Sequence, residues 1–297
     1  MLYTLHDASA AALLPARMWA QAASGALRTA CWMPPHLASA ARASAAWADV
    51  AEGVLRPRGK PAWDVRVARG AAEPLAEEIV LEQPFVRLVR FRRPDVAGPR
   101  VLLVAPMSGH HATLLRGTVQ DMADRGMDVH VTDWRDARIV PLLHGDFDLD
   151  SYIETVIGFL QHLGPDTHVV AVCQPAPAVV AAISLMASRG DLAQPRSMTL
   201  MGGPVDTEAS PTAVTQLAQQ HPIGWFERHV ISTVPPWHLG AFRRVYPGFL
   251  QLMAFMAMNP DRHIEAHRRM FNHLIKGDED SASAHRRASR IEGRCVS

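Results

Sequence analysis

The sequence predicts an α/β protein built on a mostly parallel sheet, and three observations carry that prediction. Short strand-patterned segments recur after Pro99, at 101–104, 128–132, 168–172 and 197–200, continuously apolar at 101–104 and 169–172. Helix-patterned stretches at 111–125, 150–162 and 175–188 separate them. Continuous apolar strands alternating with helices belong to sheets covered on both faces, and such sheets are parallel. A pair of alternating strands stands ahead of the series, split by Pro84.

Residues 1–55 are Ala-rich with spaced large residues, Leu5, Leu13, Trp19, Leu27, Trp32, Leu37, Trp47 and Val50, which predicts two helices broken around Pro34 and Pro35. Pro57, Pro61 and Pro74 make 56–74 a linker, so 1–75 is an N-terminal helical segment and linker. In 77–93, Val86, Leu88, Val89 and Phe91 alternate among arginines, the pattern of an antiparallel strand pair. The core is expected over 76–204. Residues 205–280 break the alternation, and Trp225, Phe226, Trp237, Phe242, Tyr246, Phe249 and Phe255 predict a helical cap over a site. From Ser281 to Ser297 the text is basic, small-residue-rich and aperiodic, a disordered tail. Antiparallel strands followed by a parallel series is the order of an α/β-hydrolase.

Composition excludes several classes. The net charge is +1 with no long block of one sign in the first 260 residues, so nucleic acid is not an expected partner. No stretch approaches the roughly 18 apolar residues of a membrane span. The apolar residues 8–14 lack a preceding Lys or Arg and are cut short by Pro15 and Arg17, a poor export signal. Cys31, Cys173 and Cys295 show neither a disulfide framework nor zinc spacing. These features predict a cytoplasmic protein. His263 and His267 are four apart on a helical pattern with His273 beyond, but no Glu completes a zinc motif, and neither metal nor cofactor is expected. A homo-oligomer is compatible with the pattern.

Cys173 stands where a buried strand ends and a helix begins, in Val172-Cys173-Gln174-Pro175-Ala176. That turn projects a nucleophile above the sheet, and the helix N-terminus favours negative charge and offers N–H donors to an oxyanion. Pro175 suits the first helical turn. Ala171 and Pro175 occupy the positions of the two glycines in G-x-S-x-G, so a buried core cysteine stands beside the nucleophile as a reading. Met107 and Ser108 follow the first parallel strand, where the second oxyanion donor is built, with Gly109 allowing close approach; a plain turn capped by Ser108 is the alternative. His110 and His111 could line the site. Asp133 and Asp136 beside Arg135 and Arg138 read as an ion-pair cluster rather than a catalytic pair. Asp206 is a fallback acid, with a turn-capping role ahead of it.

Val104 to His110, Ala112 to Thr118, Thr132-Asp133-Trp134, Ala171 to Pro175, Ser197 to Pro204 and Arg244 to Gln251 together resemble the intracellular polyhydroxyalkanoate (poly-3-hydroxybutyrate) depolymerases. The resemblance runs from Met1 to about Ser283. It implies that Cys173 is the nucleophile, since the family carries cysteine in this Val-Cys-Gln-Pro context. It further implies oxyanion donors from the backbone near Gln174 and Met107 or Ser108, a histidine as base, and ester cleavage of polymer at storage granules. The apolar cap and N-terminal helices would then suit the polymer surface, with ordinary core packing of those residues as the alternative.

The fold places its acid and histidine after later strands, in the order nucleophile, acid, histidine. Here one strand follows Cys173 before the cap, and the resemblance fades near His285. The expectation is a C-terminally truncated chain, without the acid and base, with a sheet edge exposed near 197–202 and weak or absent hydrolysis. The alternatives are a non-catalytic granule-associated hydrolase relic and a polyhydroxyalkanoate synthase, whose Gly-x-Cys-x-Gly-Gly box is missing.

Overall fold

The computed structural model describes residues 2–29, 60–66, 74–94, 97–107, 109, 111–209 and 211–257, with isolated positions at 40, 43–45, 48, 268 and 272. The expected helix break at Pro34 and Pro35, most of the linker, Ser108, His110, the histidines at 263, 267 and 273, and the tail 281–297 lie outside the described residues. The chain divides into two compact units: Met1–Lys60 with Gln251–Cys295, and Pro61–Leu250 with Val296–Ser297.

In the first unit, α1 (Leu2–Ala12) and α2 (Leu14–Thr29) follow one another closely. Tyr3 and Ala20 are buried, whereas Leu5, Met18 and Trp19 are exposed.

The second unit carries a six-stranded sheet of order β1-β2-β4-β3-β5-β6. Its strands are β1 (Glu78–Glu82), β2 (Val86–Phe91), β3 (Arg100–Val104), β4 (Asp128–Trp134), β5 (Thr167–Val172) and β6 (Ser197–Met201). The hairpin β1–β2 is antiparallel and β2 runs antiparallel to β4, while β4, β3, β5 and β6 are mutually parallel. Every residue of β4 is buried, and β3 and β5 are nearly so, as central strands covered on both faces are. Helices α3 (Arg116–Asp124), α4 (Leu149–Leu163) and α5 (Ala176–Ser188) connect them. Asp148 caps α4 by accepting from the Ser151 N–H at 2.8 Å. This antiparallel lead-in to a parallel series, with a sharp turn after β5, is the α/β-hydrolase fold.

Two readings of the sequence need correction. Residues 61–66 are not a free tether. Trp63 and Val65 are buried in the core, with Trp63 against Phe91 at 5.0 Å between ring centroids, and Val65 accepts from the Leu75 N–H. Prolines masked the alternation of Pro61, Trp63 and Val65, which packs like a strand without a ladder. The region after β6 is only partly helical. It contains α6 (Ala213–Gln220), α7 (Ile223–His229), a two-stranded hairpin of β7 (Ser232–Thr233) with β8 (Arg244–Val245), and α8 (Gly248–Ala257).

Arg243 fastens this hairpin to the loop after β4. Its guanidinium is buried and donates to the carbonyl oxygens of Ala137, Val140, Pro141 and Gly145 at 2.7–3.2 Å, with its carbon 5.1 Å from the Phe85 ring centroid. The two loops so joined present Leu143, Trp237, Leu239 and Phe242 to solvent. Among the described residues β6 is the sheet's last strand, and its Met198 and Met201 are exposed. No helix of the described residues is long and apolar enough to cross a membrane.

Candidate active site

The site is assembled at the carboxyl ends of β3, β5 and β6. Parallel register sets Val104 beside Ala171 and Val172 beside Met201, so the turns that follow β3, β5 and β6 emerge side by side. Ligand sites in open parallel sheets form at such strand ends.

Cys173 is the first residue after β5. Its φ is +64°, a left-handed conformation uncommon for a residue with a Cβ. That geometry turns the chain from strand to helix within one residue and lifts the thiol out of the sheet, where it is exposed. The buried-core reading of Cys173 therefore fails. The turn is fastened on both sides: the Cys173 N–H donates to the Met201 carbonyl at 2.8 Å, and the Cys173 carbonyl accepts from the Ala176 N–H at 3.1 Å. Pro175 sits at the helix start with φ −63°, needing no N–H partner there. Gly202, at φ +63°, and Gly203 carry the chain from β6 past this turn, and Gly203 lies against Ala176 with no room for a Cβ.

The loop after β3 is held by two side chains of β4. Thr132 Oγ1 accepts from the Ala105 N–H, and Trp134 Nε1 donates to the Ala105 carbonyl, each at 2.9 Å. Both polar groups of Ala105 are thus fixed, and Trp134 is itself packed edge-on against Tyr152. Two residues on, the Met107 N–H donates to the Gln174 side-chain Oε1 at 2.7 Å. Gln174 is exposed, and among the described residues no acceptor takes its own N–H. Sequence reasoning singled out Gln174 and Met107 for their backbone donors and missed the side-chain bond between them. A long amide next to Cys173 was the only available signal.

Other residues singled out in the sequence take structural positions. Asp206 is exposed, and its Oδ1 accepts from the Glu208 and Ala209 N–H groups in a tight turn. Asp136 pairs with Arg138 at 2.8 Å, and Arg135 pairs with Glu82. Asp133 stands opposite Arg87 in the β2–β4 register. His111 precedes the short 3₁₀ turn at Ala112–Leu115.

Among solved structures, the chain is similar to brefeldin A esterase, a bacterial homologue of human hormone-sensitive lipase. The identity there is 16% over 52% of this chain and 48% of that one, with a TM-score of 0.35. It is also similar to a thioesterase domain from the curacin biosynthetic pathway, at 15% identity, 50% of each chain and TM-score 0.35. A hormone-sensitive lipase from a metagenome library gives 15% identity, 63% of each chain and TM-score 0.35. The chain spans about half the length of the first two. No curated protein sequence matches it. Residues 202–289 match the family described as the PHB (poly-3-hydroxybutyrate) depolymerase C-terminus. That match supports a resemblance to the PHB depolymerases through this segment.

Proposed function

We propose that this protein hydrolyses the backbone esters of poly-3-hydroxybutyrate inside the cell, with Cys173 as nucleophile. The observation that carries the reading is the left-handed, solvent-facing Cys173 at the β5–α5 turn. A strained non-glycine residue at a strand–helix corner is a costly conformation, retained where a side chain must be presented.

In the proposed reaction the Cys173 thiolate attacks an ester carbonyl. A C–S bond forms and the carbonyl pair moves onto oxygen, which the N–H groups of Gln174 and the Met107–Ser108 segment stabilise. Collapse breaks the C–O bond, and the leaving alkoxide takes up the proton that the Cys173 thiol gave up on ionising, becoming a chain-end hydroxyl. Water then attacks the thioester, returning the thiol and releasing a hydroxyacid carboxylate. The partner is the surface of a storage granule, an aliphatic polyester without charge. The exposed Leu143, Trp237, Leu239 and Phe242 support that partner.

The test is release of 3-hydroxybutyrate from amorphous polymer granules by the purified chain, with Cys173→Ala as control. Slow release that disappears in the variant is expected, since the acid and base that the fold places after later strands are not among the residues assigned to the site. Equal release from both would remove Cys173 from the mechanism. Folded wild type that sediments with granules yet releases nothing would replace the catalytic reading with a granule-binding one.

A further inference from the structure

We propose that the Gln174 side-chain amide is a placeholder for the substrate's carbonyl oxygen, holding the Met107 N–H until charge develops on the ester. This deepens the proposed function and rests on Cys173 being the nucleophile. The residue after the nucleophile and the loop after β3 are the two sources of oxyanion donors in this fold. Gln174 contributes its own N–H from the first position and sets its Oε1 on the Met107 N–H of the second, at 2.7 Å. The occupant of that donor is thus a neutral carbonyl oxygen, chemically close to the ester carbonyl that must replace it. Among the described residues the bond is exposed to solvent.

The energetic consequence follows from what each oxygen can offer. A neutral ester oxygen exchanging with a neutral amide oxygen gains little, so the ground-state substrate is held without this donor. An oxyanion forms a charge-assisted bond about twice as strong and displaces the amide. The Met107 donor is therefore used in the transition state and not before it, the condition under which binding accelerates the chemical step. Meanwhile the Met107 N–H stays oriented, because Ala105 is fixed by Thr132 and Trp134 on both of its polar groups.

A simpler role, a strut joining two turns, predicts the opposite responses to substitution. The measurement is the acylation of Cys173 by p-nitrophenyl butyrate, followed as the burst of p-nitrophenolate, for wild type, Gln174→Ala and Gln174→Glu. Each rate is divided by the rate of Cys173 alkylation with iodoacetamide, a displacement at carbon that creates no oxyanion. For the placeholder, Gln174→Ala frees the donor, and the substrate concentration at half-maximal burst rate falls about threefold or more. Gln174→Glu installs an anion on the same donor, and the normalised acylation rate falls about tenfold or more. For the strut, Gln174→Ala lowers the normalised rate while Gln174→Glu, which keeps the acceptor, leaves it at the wild-type value; that pattern overturns the placeholder. Should Gln174→Ala fail to fold, the near-isosteric Gln174→Glu decides alone. A wild type that is alkylated at Cys173 but gives no burst overturns the nucleophile itself and the placeholder with it.

Discussion

A methyl group built on Gly203 would lie 2.1 Å from the Ala176 Cβ and 2.8 Å from the Cys173 carbonyl oxygen. The chain leaving β6 thus touches both the turn that carries the cysteine and the first residue of α5. Neither neighbour is the end of a flexible side chain, so relief requires a backbone shift. Gly203→Ala is expected to destabilise the protein by about 1–3 kcal/mol and to change the rate at which iodoacetamide modifies Cys173. Urea denaturation and alkylation kinetics check the two effects; an unchanged midpoint and rate would mean that the contact is not tight in solution.

Cys173 stores backbone strain at φ +64°. Replacing it with glycine, which adopts that region without penalty, is expected to stabilise the fold by about 1 kcal/mol relative to Cys173→Ala, since alanine keeps the Cβ. Both variants lack the thiol, so the comparison isolates the backbone. Chemical denaturation of the pair reads the difference directly, and equal midpoints would deny the strain.

His130 supplies a pH dependence. Burial pushes its pKa down to about 4, against the opposing attraction of Asp128 and with Arg90 and Arg100 adding to the depression. Between its ordinary value of 6.5 and about 4, the unfolded chain binds a proton that the folded chain refuses. Stability is therefore full above 6.5, falls with pH across that window, and levels off below it for this group, a loss on the order of 3 kcal/mol. Asp128 is held below its usual 3.8, since the Arg90 hydrogen bonds and nearby cations outweigh its desolvation, so its contribution is lost only at lower pH. His130→Leu is expected to flatten the slope between pH 6.5 and 4 while leaving the acid-side fall. Denaturation midpoints taken across that range test it.

Arg243→Met is expected to cost about 2–4 kcal/mol, because the carbonyls of Ala137, Val140, Pro141 and Gly145 lose a shared donor in a closed space. Proteolysis within 137–145 is expected to accelerate with it. Protection equal to wild type would show that the loop holds itself.

The centre of the sheet was legible because β3 and β5 are buried on both faces and read as apolar runs, each followed by a helix pattern. All four parallel strands fall within two residues of their expected bounds. The β5–α5 turn was legible as position, since Cys173 closes a strand and Pro175 opens a helix, but not as conformation, because nothing in the cysteine announces a positive φ. Trp63 and Val65 were hidden by the prolines around them. The hairpin at Ser232–Thr233 and Arg244–Val245 was hidden because two-residue strands carry no periodicity. Long-range side-chain bonds such as Gln174 to Met107, 67 residues apart, leave no local trace at all. They arise from register in the finished sheet.

The partners of Arg243 lie about a hundred positions before it in the chain. On a translating ribosome, at about 5–20 residues per second, the loop that contains them is made several seconds ahead of the guanidinium that satisfies it. Until then those carbonyls must rely on water. The segment between β4 and α4 is thus open to chaperones and proteases throughout that interval, and its closure marks the arrival of the β8 strand from the exit tunnel.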